Sequence, residues 1–132
     1  MINLAICDDS AIERQLLEKI VNSLLNEKGI EFKISSYNNG RDLMKAYQKE
    51  KYQLIFLDIM MEELNGIDIG KLIREQDYDA EIIYCTSSQD FLLASYEVFA
   101  LGYVLKPYDV FQIDRLLEYY FYKHVIDTAK YL

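Results

Sequence analysis

Four stretches of this chain end in the same way: a short apolar run, then a side chain able to do chemistry. Ile2 to Cys7 leads to Asp8-Asp9. Tyr52-Gln53-Leu54-Ile55-Phe56-Leu57 leads to Asp58, Glu81 to Cys85 leads to Thr86, and Tyr103-Val104-Leu105 leads to Lys106-Pro107. In an open α/β sheet, ligands sit beyond the carboxyl ends of the strands. Four such ends therefore predict one crevice, with Asp58 at its centre. Three carboxylates placed together repel, and each raises the others' tendency to hold a proton. A hard dication relieves this. Mg²⁺ takes oxygen ligands, needs only one or two carboxylates, and leaves places for water and phosphate oxygens. The Thr86 hydroxyl and the Lys106 ammonium are the donors a phosphoryl group then needs. Singly, each residue has a plainer reading. Asp8-Asp9 would complement a helix dipole, Asp58 and Lys106 would be solvated, and Thr86 would bond locally. The case rests on the four together.

The elements that must position these residues are legible from periodicity. Leu54 to Leu57 is a continuous apolar run, as expected of a strand buried on both faces. Ser10 with Glu13 fits a capping box, and Ile12, Leu16, Leu17, Ile20, Val21 and Leu24 then recur at helical spacing until Gly29 closes the unit. Ile30 to Ser36 alternates as a half-buried edge strand. Asn38-Asn39-Gly40 predicts a turn and Arg41 to Glu50 a short helix. Ile59 to Asn65 reads as a loop closed by Asn65-Gly66, followed by a helix over Ile67 to Glu75. Ser87 and Asp90 offer a second capping box before a helix over Phe91 to Leu101, which Gly102 breaks. Asp109 and Gln112 cap a last helix reaching about His124 or beyond. Strands alternating with helices predict a parallel sheet with right-handed crossovers and helices on both faces.

Length and charge narrow the function. A chain of 132 residues, 52% hydrophobic and 27% charged, is expected to fold as one globular domain. Its 14 basic and 22 acidic residues leave a net charge of −8. That argues against a direct grip on nucleic acid or anionic lipid, both of which need a basic face. Met1 enters a strand at once with no basic leader, and no apolar run nears the ~20 residues of a membrane span, so a cytoplasmic protein is expected. Cys7 and Cys85 lie in apolar strands and read as buried reduced thiols.

These residues resemble the response-regulator receiver domain of two-component signalling. Asp8-Asp9 is similar to its acidic pair, Asp58 to its phosphoacceptor, Thr86 to its switch hydroxyl, Lys106-Pro107 to its Lys-Pro and Tyr103 to its switch aromatic. Ile82-Ile83-Tyr84-Cys85-Thr86-Ser87 and the segment from Ser95 to Pro107 resemble receivers joined to a LytTR-type DNA-binding domain. The resemblance implies a flavodoxin-like sheet of order 2-1-3-4-5 and a cis Lys106-Pro107 bond. It also implies a phosphorylated sensor histidine kinase as donor. Mg²⁺ would be held by Asp8 (largely through water), Asp9, Asp58 and the Met60 backbone carbonyl. Lys106 is expected to pair with Asp58 at rest, and Thr86 to move so that Tyr103 turns inward. Met60 and Ser88 fall where the family tunes water attack on the phospho-Asp. Met60 cannot orient a water, so a long-lived phosphorylated state is expected. Glu62 stands where the family often has Pro, so the loop is expected to be looser or differently bent. Residues 1–132 would be the receiver, with about 126–132 starting a linker to an output domain absent from this sequence.

Other readings are less well served. A flavodoxin-like cofactor binder would need a Gly/Ser/Thr-rich loop where Asp8-Asp9 stands. An aspartate-nucleophile phosphatase of the families that share that chemistry would carry a second acid at Met60. A pseudo-receiver acting only through protein contacts would be expected to lack an acid or the Lys, and all are present. In the last helix, Tyr119-Tyr120-Phe121-Tyr122 cannot all face the core at ~100° per residue. If Ile113, Leu117 and Tyr120/Phe121 pack inward, Tyr119 and Tyr122 point outward. That suits a homodimer through the face made by the fourth helix, fifth strand and fifth helix. His124 reads as a surface residue.

Overall fold

The computed structural model describes residues 1–129, with side chains through His124. The chain alternates β1 (Ile2–Cys7), α1 (Ala11–Glu27), β2 (Phe32–Tyr37), α2 (Gly40–Tyr47), β3 (Leu54–Asp58), α3 (Gly66–Arg74), β4 (Glu81–Thr86), α4 (Leu92–Glu97), β5 (Gly102–Leu105) and α5 (Val110–Ala129). The five strands pair in parallel in the order β2-β1-β3-β4-β5, as expected. The central strand β3 is buried along its whole length. Its alternate residues face opposite layers. Leu54 and Phe56 pack with Leu17 and Val21 of α1 and Ile113 and Leu117 of α5. Ile55 and Leu57 pack with Leu43 of α2, Ile69 and Ile73 of α3, and Val98 beyond α4.

Several boundaries differ from the sequence reading, each for a local reason. β2 begins at Phe32, because Ile30 N–H still bonds back to Leu25 O at the end of α1. The helix expected over Phe91 to Leu101 is only Leu92–Glu97. Beyond it Phe99 takes a left-handed conformation, φ 55°, and Leu101 N–H already bonds Ile82 O of β4 at 2.7 Å. Arg74, buried at the end of α3, takes the carbonyls there. Its Nε donates to Val98 O (2.7 Å) and its Nη2 to Phe99 O (3.4 Å), while Nη1 donates to Ala80 O (2.6 Å) and Asp77 O (3.1 Å). Gly102, read as a breaker, is the first residue of β5.

The caps are also partly rearranged. Ser10 accepts from Glu13 N–H as expected, but its own N–H goes to Asp8 Oδ1. Ser87 and Asp90 form no capping box: Asp90 N–H bonds Ser88 Oγ, and α4 starts without a side-chain cap. Asp109 accepts from Phe111 N–H, while Gln112 reaches Tyr103 O. The Lys106-Pro107 bond is cis. The linker expected from about 126 overlaps the last turn of α5, and its residues 130–132 lie outside the described residues.

Candidate functional site

The strand registers bring the four chemical ends into line. Cys7 of β1 lies opposite Leu57 of β3, so Asp8 and Asp58 emerge side by side. Asp58 lies opposite Cys85, and Thr86 opposite Leu105, which places Thr86 one strand and Lys106 two strands further across. Lys106 N–H bonds Thr86 O at 2.8 Å and holds that edge together. Carboxylate oxygens of Asp8, Asp9 and Asp58 all lie within 4.8 Å of one another. Asp8 and Asp58 are buried and Asp9 is exposed.

Among the described residues, Lys106 is the one ammonium in this cluster. Its Nζ stands 2.9 Å from Asp8 Oδ2 and 3.7 Å from Asp58 Oδ1. The expected resting pair with Asp58 is therefore the longer of two contacts, and Asp8 is the closer partner. The reason is reach from the end of β5 into a cleft where both acids are desolvated. Burial works against the ammonium, but the hydrogen bond to Asp8 and the charge of Asp58 outweigh it and hold the Lys106 pKa above its ordinary value. Asp58 is pushed up to about 7, by burial first and by the neighbouring Asp8 charge second; Lys106 opposes both.

The donor set fits a divalent cation on its own chemistry. Three hard oxygen donors face one ammonium, and the central carboxylate is destabilised in its charged form. Asp58 is further held by Met60 N–H on Oδ1 at 3.3 Å. Gly66 closes the loop from behind. A Cβ there would lie 2.4 Å from Asp58 O and 2.8 Å from Ile59 Cα, so only glycine lets α3 begin this close to Asp58.

Thr86 is fully buried and its Oγ1 accepts from Ser88 N–H at 3.3 Å. Tyr103 is half-buried, and its hydroxyl donates to Ser88 O. Thr86 and Tyr103 are thus joined through one residue, Ser88. The Met60 side chain is exposed. Tyr119 and Tyr122 lie apart from it on the outer face of α5, 51% and 65% exposed, while Ile113, Leu117 and Tyr120 are buried. Cys7 and Cys85 are buried free thiols. Sequence reasoning missed Arg14, whose Nη1 donates to Asp8 O at 2.7 Å. One charged residue on an amphipathic helix gives no signal of a backbone contact. It placed Ser88 only where the family tunes water attack, and missed that the Ser88 backbone bonds both Thr86 and Tyr103.

The receiver domain of response regulators matches residues 4–118, and the chain belongs to that family. Its curated relatives include regulators of the LytT and LytR type. The sensory transduction protein LytT of Oceanobacillus iheyensis is 34% identical over 109 residues, covering 81% of this chain and 43% of the relative. The transcriptional regulatory protein LytR of Staphylococcus aureus is 30% identical over 110 residues, covering 83% and 43%. The chain spans less than half the length of the curated relatives it matches. Among solved structures, the response regulatory domain of protein mrkE from Klebsiella pneumoniae is 25% identical with a TM-score of 0.82, covering 92% of this chain and 96% of that one. Response regulator protein TrrA from Thermotoga maritima, in complex with Mg²⁺-BeF, is 26% identical with a TM-score of 0.77, covering 91% and 99%. No helix among the described residues is long and apolar enough to cross a membrane.

Proposed function

We propose that this receiver accepts a phosphoryl group from a sensor histidine kinase on Asp58 and changes the face made by α4, β5 and α5 in response. The convergence of Asp8, Asp9, Asp58 and Lys106 at one sheet edge carries the reading. An Asp58 carboxylate oxygen attacks phosphorus in line. The phosphorus–nitrogen bond to the donor histidine breaks, and the imidazole keeps the bond electrons. Asp8, Asp9, Asp58 and the Met60 carbonyl would hold Mg²⁺, which supplies charge neutralisation for the transferring oxygens. Lys106 already spans Asp8 and Asp58, so it meets a phosphoryl oxygen on Asp58 with little movement. Thr86 offers its hydroxyl proton to a second oxygen. Doing so draws on the Thr86–Ser88–Tyr103 chain, a local charge event feeding a packing element.

Tyr119 and Tyr122 suit a homodimer through this outer face. The relatives' greater length and regulator names support a DNA-binding output domain in a longer cytoplasmic transcription factor. The −8 charge supports a receiver that does not itself touch nucleic acid. Intact mass after incubation with acetyl phosphate and Mg²⁺ tests the core of the proposal. One phosphoryl adduct is expected in wild type, none in Asp58→Asn, and none with chelator. A folded wild type with no adduct would overturn it.

A further inference from the structure

We propose that Arg14 is a positioning residue for the divalent-cation site: it holds the peptide plane between Asp8 and Asp9, and through it the Asp9 carboxylate. The inference rests on the Mg²⁺-dependent reading above. Asp8 is fixed from four directions. Its N–H donates to Tyr37 O at 3.1 Å, its Oδ1 accepts from Ser10 N–H at 2.9 Å, and its Oδ2 accepts from Lys106 Nζ at 2.9 Å. These three hold the Asp8 nitrogen and side chain. The fourth, Arg14 Nη1 to Asp8 O at 2.7 Å, acts on the carbonyl.

A peptide is planar, so the plane carrying Asp8 C=O also carries the N–H and Cα of Asp9. Asp9 is exposed, and its place in the cluster depends on the backbone that carries it. Rotation of that plane would carry Asp9 away from Asp8 and Asp58. Arg14 projects back from α1, whose first turn is itself tied down by Arg14 N–H on Ser10 O at 2.9 Å. The guanidinium thus links the helix to the acidic turn.

The sign of the effect separates geometry from charge. Arg14 is a cation beside a site for a cation. By Coulomb repulsion alone, removing it strengthens Mg²⁺ binding. If it acts by holding the peptide, removing it weakens binding, by about tenfold, as partners of metal ligands typically do. Calorimetric Mg²⁺ titration of wild type, Arg14→Ala and Arg14→Lys reads this directly. The expected result is a roughly tenfold weaker Kd in Arg14→Ala and an intermediate value in Arg14→Lys. The half-saturating Mg²⁺ concentration for adduct formation from acetyl phosphate should rise in step. Binding by folded Arg14→Ala as tight as wild type, or tighter, would overturn the proposal and leave Arg14 as a field charge only. Arg14→Gln replaces Arg14→Ala if thermal melts show the latter unfolded. No Mg²⁺ binding by wild type would instead bring down the Mg²⁺-dependent reading itself.

Discussion

Met60 sits two residues past Asp58 with its N–H on the Asp58 carboxylate and its side chain exposed. A thioether orients water poorly. Replacing Met60 with Asn should speed loss of the phosphoryl group several-fold, measured as decay of the intact-mass adduct. An unchanged decay would show that this side chain plays no part. Asp77 gives a second test at this scale, far from the cleft. Burial pushes its pKa up, but the Tyr47 hydroxyl and the N–H groups of Asp79 and Ala80 hold it below the ordinary carboxylate value. A depressed folded pKa stabilises the fold above the unfolded value, about 3.9, and the benefit is lost as pH falls through the lower folded value. Asp77→Asn should therefore cost stability in urea melts at pH 6 and cost less at pH 3. An equal cost at both would remove the ionised form from the account.

Among the elements, α3 begins against Asp58 and ends by gripping the segment that follows α4. Gly66→Ala would drive a methyl into Asp58 O and Ile59 Cα. The expected outcome is a lower Tm together with slower adduct formation, because the strain falls on the backbone of Asp58, the proposed phosphoacceptor. Arg74→Met would leave the carbonyls of Asp77, Ala80, Val98 and Phe99 without their donor. A loss on the order of 3 kcal/mol is expected in denaturant melts, and Arg74→Lys should recover part of it. Gly66 announces the end of the loop in sequence; Arg74 does not announce its task. The four strand ends were legible because an apolar run followed by a reactive side chain is a local pattern. α4 was overestimated for the converse reason. Phe91, Leu92, Val98 and Phe99 keep an apolar rhythm, but what ends the helix is a guanidinium from another element and a left-handed Phe99. The Ser87–Asp90 box failed on one residue of register, since Ser88 is the serine that turns back on Asp90.

At the level of the whole molecule, Leu93, Tyr96, Phe99, Phe111, Tyr119 and Tyr122 leave large apolar side chains exposed on α4, α5 and the turn between α4 and β5. In a chain of net charge −8, copies repel at long range, so association through these residues needs close apolar contact. Alanine at both Tyr119 and Tyr122 should weaken dimerisation of the phosphorylated form at least tenfold in sedimentation. Unchanged sedimentation would argue against dimerisation through this face. The sheet order and its two-sided core were legible because parallel βα alternation admits few arrangements. Which acid Lys106 prefers was not, since that depends on distances across three strand ends.

The grip of Arg74 gives α4 a mechanical character. Behind the helix, Val98 is sunk in the core, its carbonyl is bolted to α3, and Leu101 is stitched to β4. In front of it, residues 87–90 are fastened mainly to one another, to the Thr86 hydroxyl and to the tip of Tyr103, and Phe91 alone packs against the core. A short beam clamped at its far end and loose at its near end does not slide when pushed; it swings. A small displacement at Thr86 would sweep Leu92 and Leu93 through the widest arc and leave Val98 nearly still. In such a swing the exposed Leu93 would move farther than the exposed Tyr96, which stands nearer the pivot.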